Sequence, residues 1–339
     1  IMNIFSTKFF SIVGIVFCFV VIALGAWTRL EDAGLGCPDW PLCYGEWIFP
    51  QTPEAIEAAN NRFPDNPVDI AKVIPEVVHR FFAASLGLFA IALLAITIRE
   101  KRMRAEAAIL LIVIICQGIF GALTVTLKLH PLIVSTHLFG AMIVASLFLL
   151  IYLKSSEIYT NNQGKLLKRT SYESLVKNRN YIFFGFILLI LQIFLGVWTS
   201  TNYASWSCLE FPTCHSGEFL PTTKFREGFD LFQPIGPNYL YGEMSGEART
   251  AIHLTHRIGA IFIFFYSLFL SAKIWSEKTK PIVIFFLSAL FLQVLLGISN
   301  IMTLVAVWNG VAHNLIAVTL FLTFIVMIYL SSRRGNESS

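Results

Sequence analysis

Eight apolar stretches organise this chain, with polar residues gathered between them: 9–29, 77–98, 105–126, 132–153, 180–200, 252–272, 281–303 and 310–330. A helix needs about 20 mainly apolar residues to cross the hydrocarbon core of a bilayer. Each stretch reaches that length. The pattern predicts an all-α integral membrane protein with eight transmembrane helices. The first stretch is too long for a cleaved signal peptide, and no A-x-A-like site follows it, so it reads as a permanent span.

Composition agrees. Hydrophobic residues make up 56% of the 339 and charged residues 14%, against about 25% charged in soluble domains. Lys and Arg placement sets orientation. With a cytoplasmic N-terminus, the inside segments are 1–8, 99–104, 154–179, 273–280 and the tail, and they hold 16 of the 25 basic residues. The expectation is a multi-pass protein of the bacterial cytoplasmic (inner) membrane, with both termini cytoplasmic. The net charge of +4 then reflects membrane orientation, and nucleic acid is not an expected partner.

The chain is also written twice. Gly25, Trp27, Thr28, Cys37 and Cys43 recur 171 residues later as Gly196, Trp198, Thr199, Cys208 and Cys214. His79-Arg80 recurs 177 later as His256-Arg257, and Gln117 and His137 recur 176 later as Gln293 and His313. Four spans per copy preserve direction, so the halves are expected as two parallel four-helix bundles related by a pseudo-two-fold axis along the membrane normal. The expected boundaries are an N-terminal bundle 1–153, a cytoplasmic linker 154–179, a C-terminal bundle 180–331 and a cytoplasmic tail 332–339.

The repeat preserves reactive residues. Cys37/Cys43 and Cys208/Cys214 form two C-x5-C pairs in loops expected to be periplasmic. That compartment is oxidising, so each pair is expected to close as a disulfide. Such a ring is either a staple for its loop or a redox-active dithiol. Cys18 and Cys116 fall inside spans and read as packing residues. His79, His137, His256 and His313 each sit in the first turns of a span that runs inward, at similar depth. Two imidazoles facing each other across a bundle form a bis-axial haem site. Interhelical hydrogen bonding is the bland alternative for one histidine, but not for four in a repeated pattern. No other metal is expected.

Smaller signals surround these ligands. Arg80 and Arg257 each follow a ligand and are candidate propionate partners or interfacial anchors. Gly140 and Gly259 lie three residues after His137 and His256, and allow either a flat macrocycle or a neighbouring helix to approach. Gln117 and Gln293 read as interhelical contacts, with the edge of a pocket as the alternative. The halves differ at one position: Glu76 stands three residues before His79, whereas His253 stands three before His256. A membrane carboxylate beside one ligand suits proton transfer; a helix N-terminus accommodates it equally. His130 and His215 read as surface residues, and the 215–250 loop as a cover for the second bundle.

Leu35-Gly36-Cys37-Pro38-Asp39-Trp40-Pro41-Leu42-Cys43-Tyr44-Gly45, Glu76-x-x-His79-Arg80, His137, the second cysteine pair, His256-Arg257 and His313 together resemble the heme A synthase family, in its cysteine-bearing bacterial form. The resemblance spans about residues 9–330. It implies an oxidoreductase that converts the C8 methyl of haem O to the formyl of haem A by successive hydroxylations. It places the substrate haem O between His79 and His137, and a haem b for electron transfer between His256 and His313. It makes Glu76 the catalytic carboxylate. The implied partners are haem O and membrane lipid, with haem O synthase, terminal oxidase assembly factors and a homo-oligomer as further candidates. Rival readings are a b-type cytochrome serving quinol, a membrane thiol-disulfide oxidoreductase and a transporter. The first leaves Glu76 idle, the second leaves the histidines idle, and the third has too few intramembrane charges for a substrate path.

Overall fold

The computed structural model describes residues 2–101, 103–162 and 172–332. Residues 163–171 of the expected linker and the tail from 333 lie outside the described residues. The helices are α1 (Met2–Leu30), α2 (Pro53–Arg62), α3 (Ile70–Glu100), α4 (Arg104–Thr126), α5 (Pro131–Asn162), α6 (Glu173–Lys177), α7 (Arg179–Thr201), α8 (Phe225–Gly228), α9 (Gly246–Ile274), α10 (Lys280–Met302) and α11 (Val307–Ser331). Eight of them are long and apolar enough to cross a membrane, in the order the apolar stretches predict.

Two helices begin well before their apolar runs. Asp69 caps α3 by accepting from the Ala71 amide at 3.1 Å, and Ser245 caps α9 by accepting from the Ala248 amide at 3.3 Å. A side-chain cap satisfies amides that an N-terminus leaves open. The helices therefore begin six to seven residues before their apolar runs, so that Glu76 falls in the added turns of α3 and His253 just inside the run of α9.

Helix α1 packs against α3 and α5, and α4 against the same pair. In the second half, α7 packs against α9 and α11, and α10 against the same pair. Between the two sets, α1 meets α11, and α5 meets both α7 and α11. One core, including Leu93, Leu110, Phe148, Ile182, Phe286 and Phe324, runs through both. Hydrophobicity does not drive helices together in lipid, so close contact must. Gly14 shows this: an added Cβ would lie 2.3 Å from the Phe148 ring. Cys18 is buried in this core as expected, but Cys116 is exposed on α4. The expected packing role therefore does not hold for Cys116.

The halves are also stapled where α1 and α7 end. Arg29 donates to the Ser200 carbonyl, and its guanidinium lies 4.0 Å from the Tyr203 ring centroid. The Tyr203 hydroxyl donates to Asp32 at 2.8 Å. Burial pushes the Tyr203 phenol up to about 12, so it stays a neutral donor.

The 215–250 loop does more than cover its own half. The Tyr239 amide donates to the Lys128 carbonyl at 3.0 Å, and His130 Nε2 donates to the Gln233 carbonyl at 2.9 Å. His130 is therefore buried, contrary to the surface position expected from sequence. The strap supplies both the cover and the acceptor that a buried imidazole requires. His215 is exposed, as expected.

Candidate functional site

The four recurrent histidines lie on α3, α5, α9 and α11. Each imidazole rests on a glycine of a neighbouring helix. A Cβ at Gly25 of α1 would lie 3.0 Å from His79 Cε1, and one at Gly196 of α7 would lie 3.0 Å from His256 Cε1. A Cβ at Gly121 of α4 would lie 3.6 Å from His137 Cε1, and one at Gly297 of α10 would lie 3.2 Å from His313 Cε1. A methyl group at Gly25, Gly196 or Gly297 would press on its ring, whereas one at Gly121 would make ordinary contact. Gly121 and Gly297 were not singled out from sequence, although each lies four residues after a recurrent glutamine.

All four rings are half-buried. The Nδ1 atoms of His79, His137 and His313 are buried without a hydrogen-bond partner. An unsatisfied buried imidazole nitrogen costs about 1–3 kcal/mol, so the rings fit a site completed by a bound group. Among the described residues no cluster of three or more His, Cys, Asp or Glu could hold a metal ion by itself. The donor set suits a group that needs two imidazoles and brings its own remaining ligands, as a haem does.

Glutamines orient the rings of the second half. Gln192 Nε2 donates to His256 Nδ1 at 3.0 Å, and Gln293 Nε2 lies 3.2 Å from His313 Nε2. Gln192 is a residue the repeat could have revealed, because its counterpart 171 positions earlier is Val21. Gly140 and Gly259 make room for glutamine side chains. A Cβ there would stand 1.7 Å from Gln117 Nε2 and 2.2 Å from Gln192 Oε1.

Glu76 is buried on α3. Its Oε2 accepts from the Cys37 amide at 2.9 Å, and its Oε1 is ion-paired with Arg80, one turn later. Pro75 shapes the helix just before it, and Thr28 Oγ1 donates to the Pro75 carbonyl at 3.1 Å. Arg80 also donates to the Asp39 carbonyl at 3.1 Å and the Leu42 carbonyl at 2.9 Å. Both carbonyls belong to the ring closed by the Cys37–Cys43 disulfide, whose Cα atoms lie 4.8 Å apart. Closing so short a loop removes about 2 kcal/mol of unfolded-state freedom. Asp39 completes the turn, accepting from the Tyr44 and Gly45 amides at 2.6 and 2.8 Å. Burial, then the negative charge of Glu76, Asp69 and Asp39, pushes the Tyr44 phenol up to about 12.

The second ring follows the same plan without the carboxylate. Cys208 and Cys214 are bonded, with Cα atoms 4.3 Å apart. Glu210, the counterpart of Asp39, accepts from the Ser216 and Gly217 amides, both at 3.1 Å. Hydrogen bonding, first from the Thr213 hydroxyl, holds its carboxyl below the usual range. Arg257 donates to the Cys208 carbonyl at 2.7 Å and the Thr213 carbonyl at 2.8 Å. Both arginines thus bind ring carbonyls through their terminal nitrogens, and a buried Arg257 Nε has no partner. His253, at the Glu76 position, is buried with an unpartnered Nδ1.

Comparison with known proteins agrees with this layout. The family model COX15-CtaA, described as cytochrome oxidase assembly protein, matches residues 8–325. A heme A synthase of Shewanella oneidensis is 34% identical over 327 residues, 96% of this chain and 96% of its own. A heme A synthase of Alkalihalophilus pseudofirmus is 26% identical over 338 residues, 95% of this chain and 96% of its own. One of Exiguobacterium sibiricum is 25% identical over 265 residues, 75% of this chain and 78% of its own. With eight membrane-crossing helices, two ringed cysteine pairs and similarity along almost its whole length, the chain belongs to the heme A synthase family of cytochrome oxidase assembly proteins.

Proposed function

We propose that this protein oxidises the C8 methyl of haem O to the formyl of haem A. One observation carries the reading: two histidine pairs are seated alike against glycines, while among the described residues a buried carboxylate, Glu76, stands beside one pair only. The N-terminal set of helices, residues 1–153, holds the substrate haem O through His79 and His137. The C-terminal set, residues 180–331, holds a haem b through His256 and His313, with Gln192 orienting the first of these rings. A haem b held by His256 and His313 would supply one-electron transfer.

The chain's own residues supply the remainder. Glu76 holds or releases a proton at its carboxylate oxygens as the methyl group loses hydrogen. Arg80 fixes one of these oxygens and the Cys37 amide the other. Arg257 retains a buried Nε suited to a propionate. The cysteine rings face the periplasm and both termini the cytoplasm, in keeping with the basic residues at the opposite ends of the helices. Two contacts support a pseudo-two-fold axis between the halves. Arg29 touches its own counterpart Ser200, and Asp32 its own counterpart Tyr203; residues on such an axis meet their equivalents.

A pyridine haemochrome spectrum of the purified protein, supplied with haem O, tests the reading. Haem b together with haem O or haem A is the expected result. Haem b alone reduces the protein to a cytochrome, and absence of any haem sinks the proposal.

A further inference from the structure

The Cys37–Cys43 ring is tied to α3 by contacts that the second ring lacks. The Cys37 amide and Arg80 hold the two oxygens of Glu76. Arg80 at the same time holds two carbonyls inside the ring, those of Asp39 and Leu42. The ring can approach this closely because Gly36 has no side chain: a Cβ there would stand 2.3 Å from the Lys72 carbonyl oxygen. In the second half Ser207 occupies the Gly36 position and His253 that of Glu76. Arg257 there binds ring carbonyls but no carboxylate. One guanidinium in the first half therefore reads the shape of the disulfide ring and the position of the carboxylate together.

We propose that Arg80 is a positioning residue that locks the Glu76 carboxylate to the closed Cys37–Cys43 ring, so that opening the disulfide releases the carboxylate. A closed ring presents the Asp39 and Leu42 carbonyls and the Cys37 amide without further ordering. An open one must order this backbone anew, which is the main cost of any such arrangement. Opening takes two electrons and two protons. A dithiol such as dithiothreitol provides them, as it forms its own cyclic disulfide and leaves Cys37 and Cys43 as thiols. The planar fork of Arg reaches ring and carboxylate together, which a lysine ammonium does not match. The catalytic consequence rests on the proposed role of Glu76; the positioning itself does not.

Labelling of Glu76 by a water-soluble carbodiimide and an amine, quantified by peptide mass spectrometry on the full-length protein, measures the release. The exposed Glu210 of the second ring is the internal standard. In the oxidised protein Glu76 is expected to label far more slowly than Glu210. Dithiothreitol, the Cys37→Ser/Cys43→Ser variant and Arg80→Gln should each raise Glu76 labelling about tenfold, the equivalent of one charge-assisted hydrogen bond. Arg80→Lys should fall between, and Arg257→Gln should leave Glu76 unchanged. Unchanged Glu76 labelling after reduction, with thiol formation verified by mass, overturns the proposal without any substitution. Increased labelling with undiminished haem A formation leaves the positioning intact and overturns the catalytic role of Glu76.

Discussion

Gly36→Ala is a one-methyl change whose effect can be worked out from the contacts. The new Cβ would stand 2.3 Å from the Lys72 carbonyl oxygen, 2.6 Å from its carbon and 3.0 Å from the Val73 nitrogen. All three are backbone atoms of α3, which cannot swing aside as a side chain can. Ordinary contact needs about 3.5 Å, so the ring must withdraw from the helix by roughly 1 Å. The bond from the Cys37 amide to Glu76 starts at 2.9 Å, and a withdrawal of that size takes it beyond hydrogen-bonding range. A hydrogen bond to a charged group is worth about 1.5–3 kcal/mol, which corresponds to about 10- to 100-fold in rate. Gly36→Ala should therefore keep both haem sites filled and lower haem A formation by that factor. Haem extraction and chromatography of membranes from cells expressing the variant read both quantities. Normal haem A output would refute the reasoning, as would equal loss of haem from both halves.

Four further outcomes follow from the geometry. His313→Ala should remove the haem of the C-terminal half and leave substrate binding in the other, halving total haem per chain; loss of substrate haem O instead would reverse the assignment of the halves. Gln192→Leu should weaken retention of that same haem by about tenfold, since it removes the partner that orients His256; unchanged retention during dilution contradicts the role. Arg29→Ala removes the bond to Ser200 and the contact with the Tyr203 ring, and should cost about 2 kcal/mol in detergent unfolding; an unchanged transition would show that the staple contributes nothing. His130→Ala takes from the strap its bond to Gln233, and limited proteolysis should cut within 229–242 faster than in the parent; equal rates contradict the bridging role.

Much of this arrangement is legible in the sequence, for physical reasons. Apolar runs of about 20 residues have few alternatives to membrane-spanning helix, so the eight spans emerge without a structure. The repeat of rare residues marks the histidines, because Trp, Cys, His and Gln do not stay in step by chance in an apolar chain. The early starts of α3 and α9 escape the reading of apolar runs because the caps Asp69 and Ser245 lie eight and seven residues upstream of them, with Lys72 and Pro75 interrupting the first and Glu247 and Arg249 the second. The destination of Arg80 is hidden as well. Spacing places it beside Glu76, one turn along the helix, but only the fold brings the Asp39 and Leu42 carbonyls to its other nitrogens. The burial of His130 depends on a carbonyl 103 residues away, which no local pattern encodes. Gln192 was within reach, since a comparison of the two copies sets it against Val21.

The central claim is that two similar haem sites differ in function because only one has a carboxylate beside its ligand. The Glu76→Ala variant tests this most directly, with the haem types extracted from the purified protein separated and counted. Total haem per chain should match the parent, with haem O in place of haem A and conversion lowered by about 100-fold or more. A normal proportion of haem A in a variant with normal haem content would contradict the account.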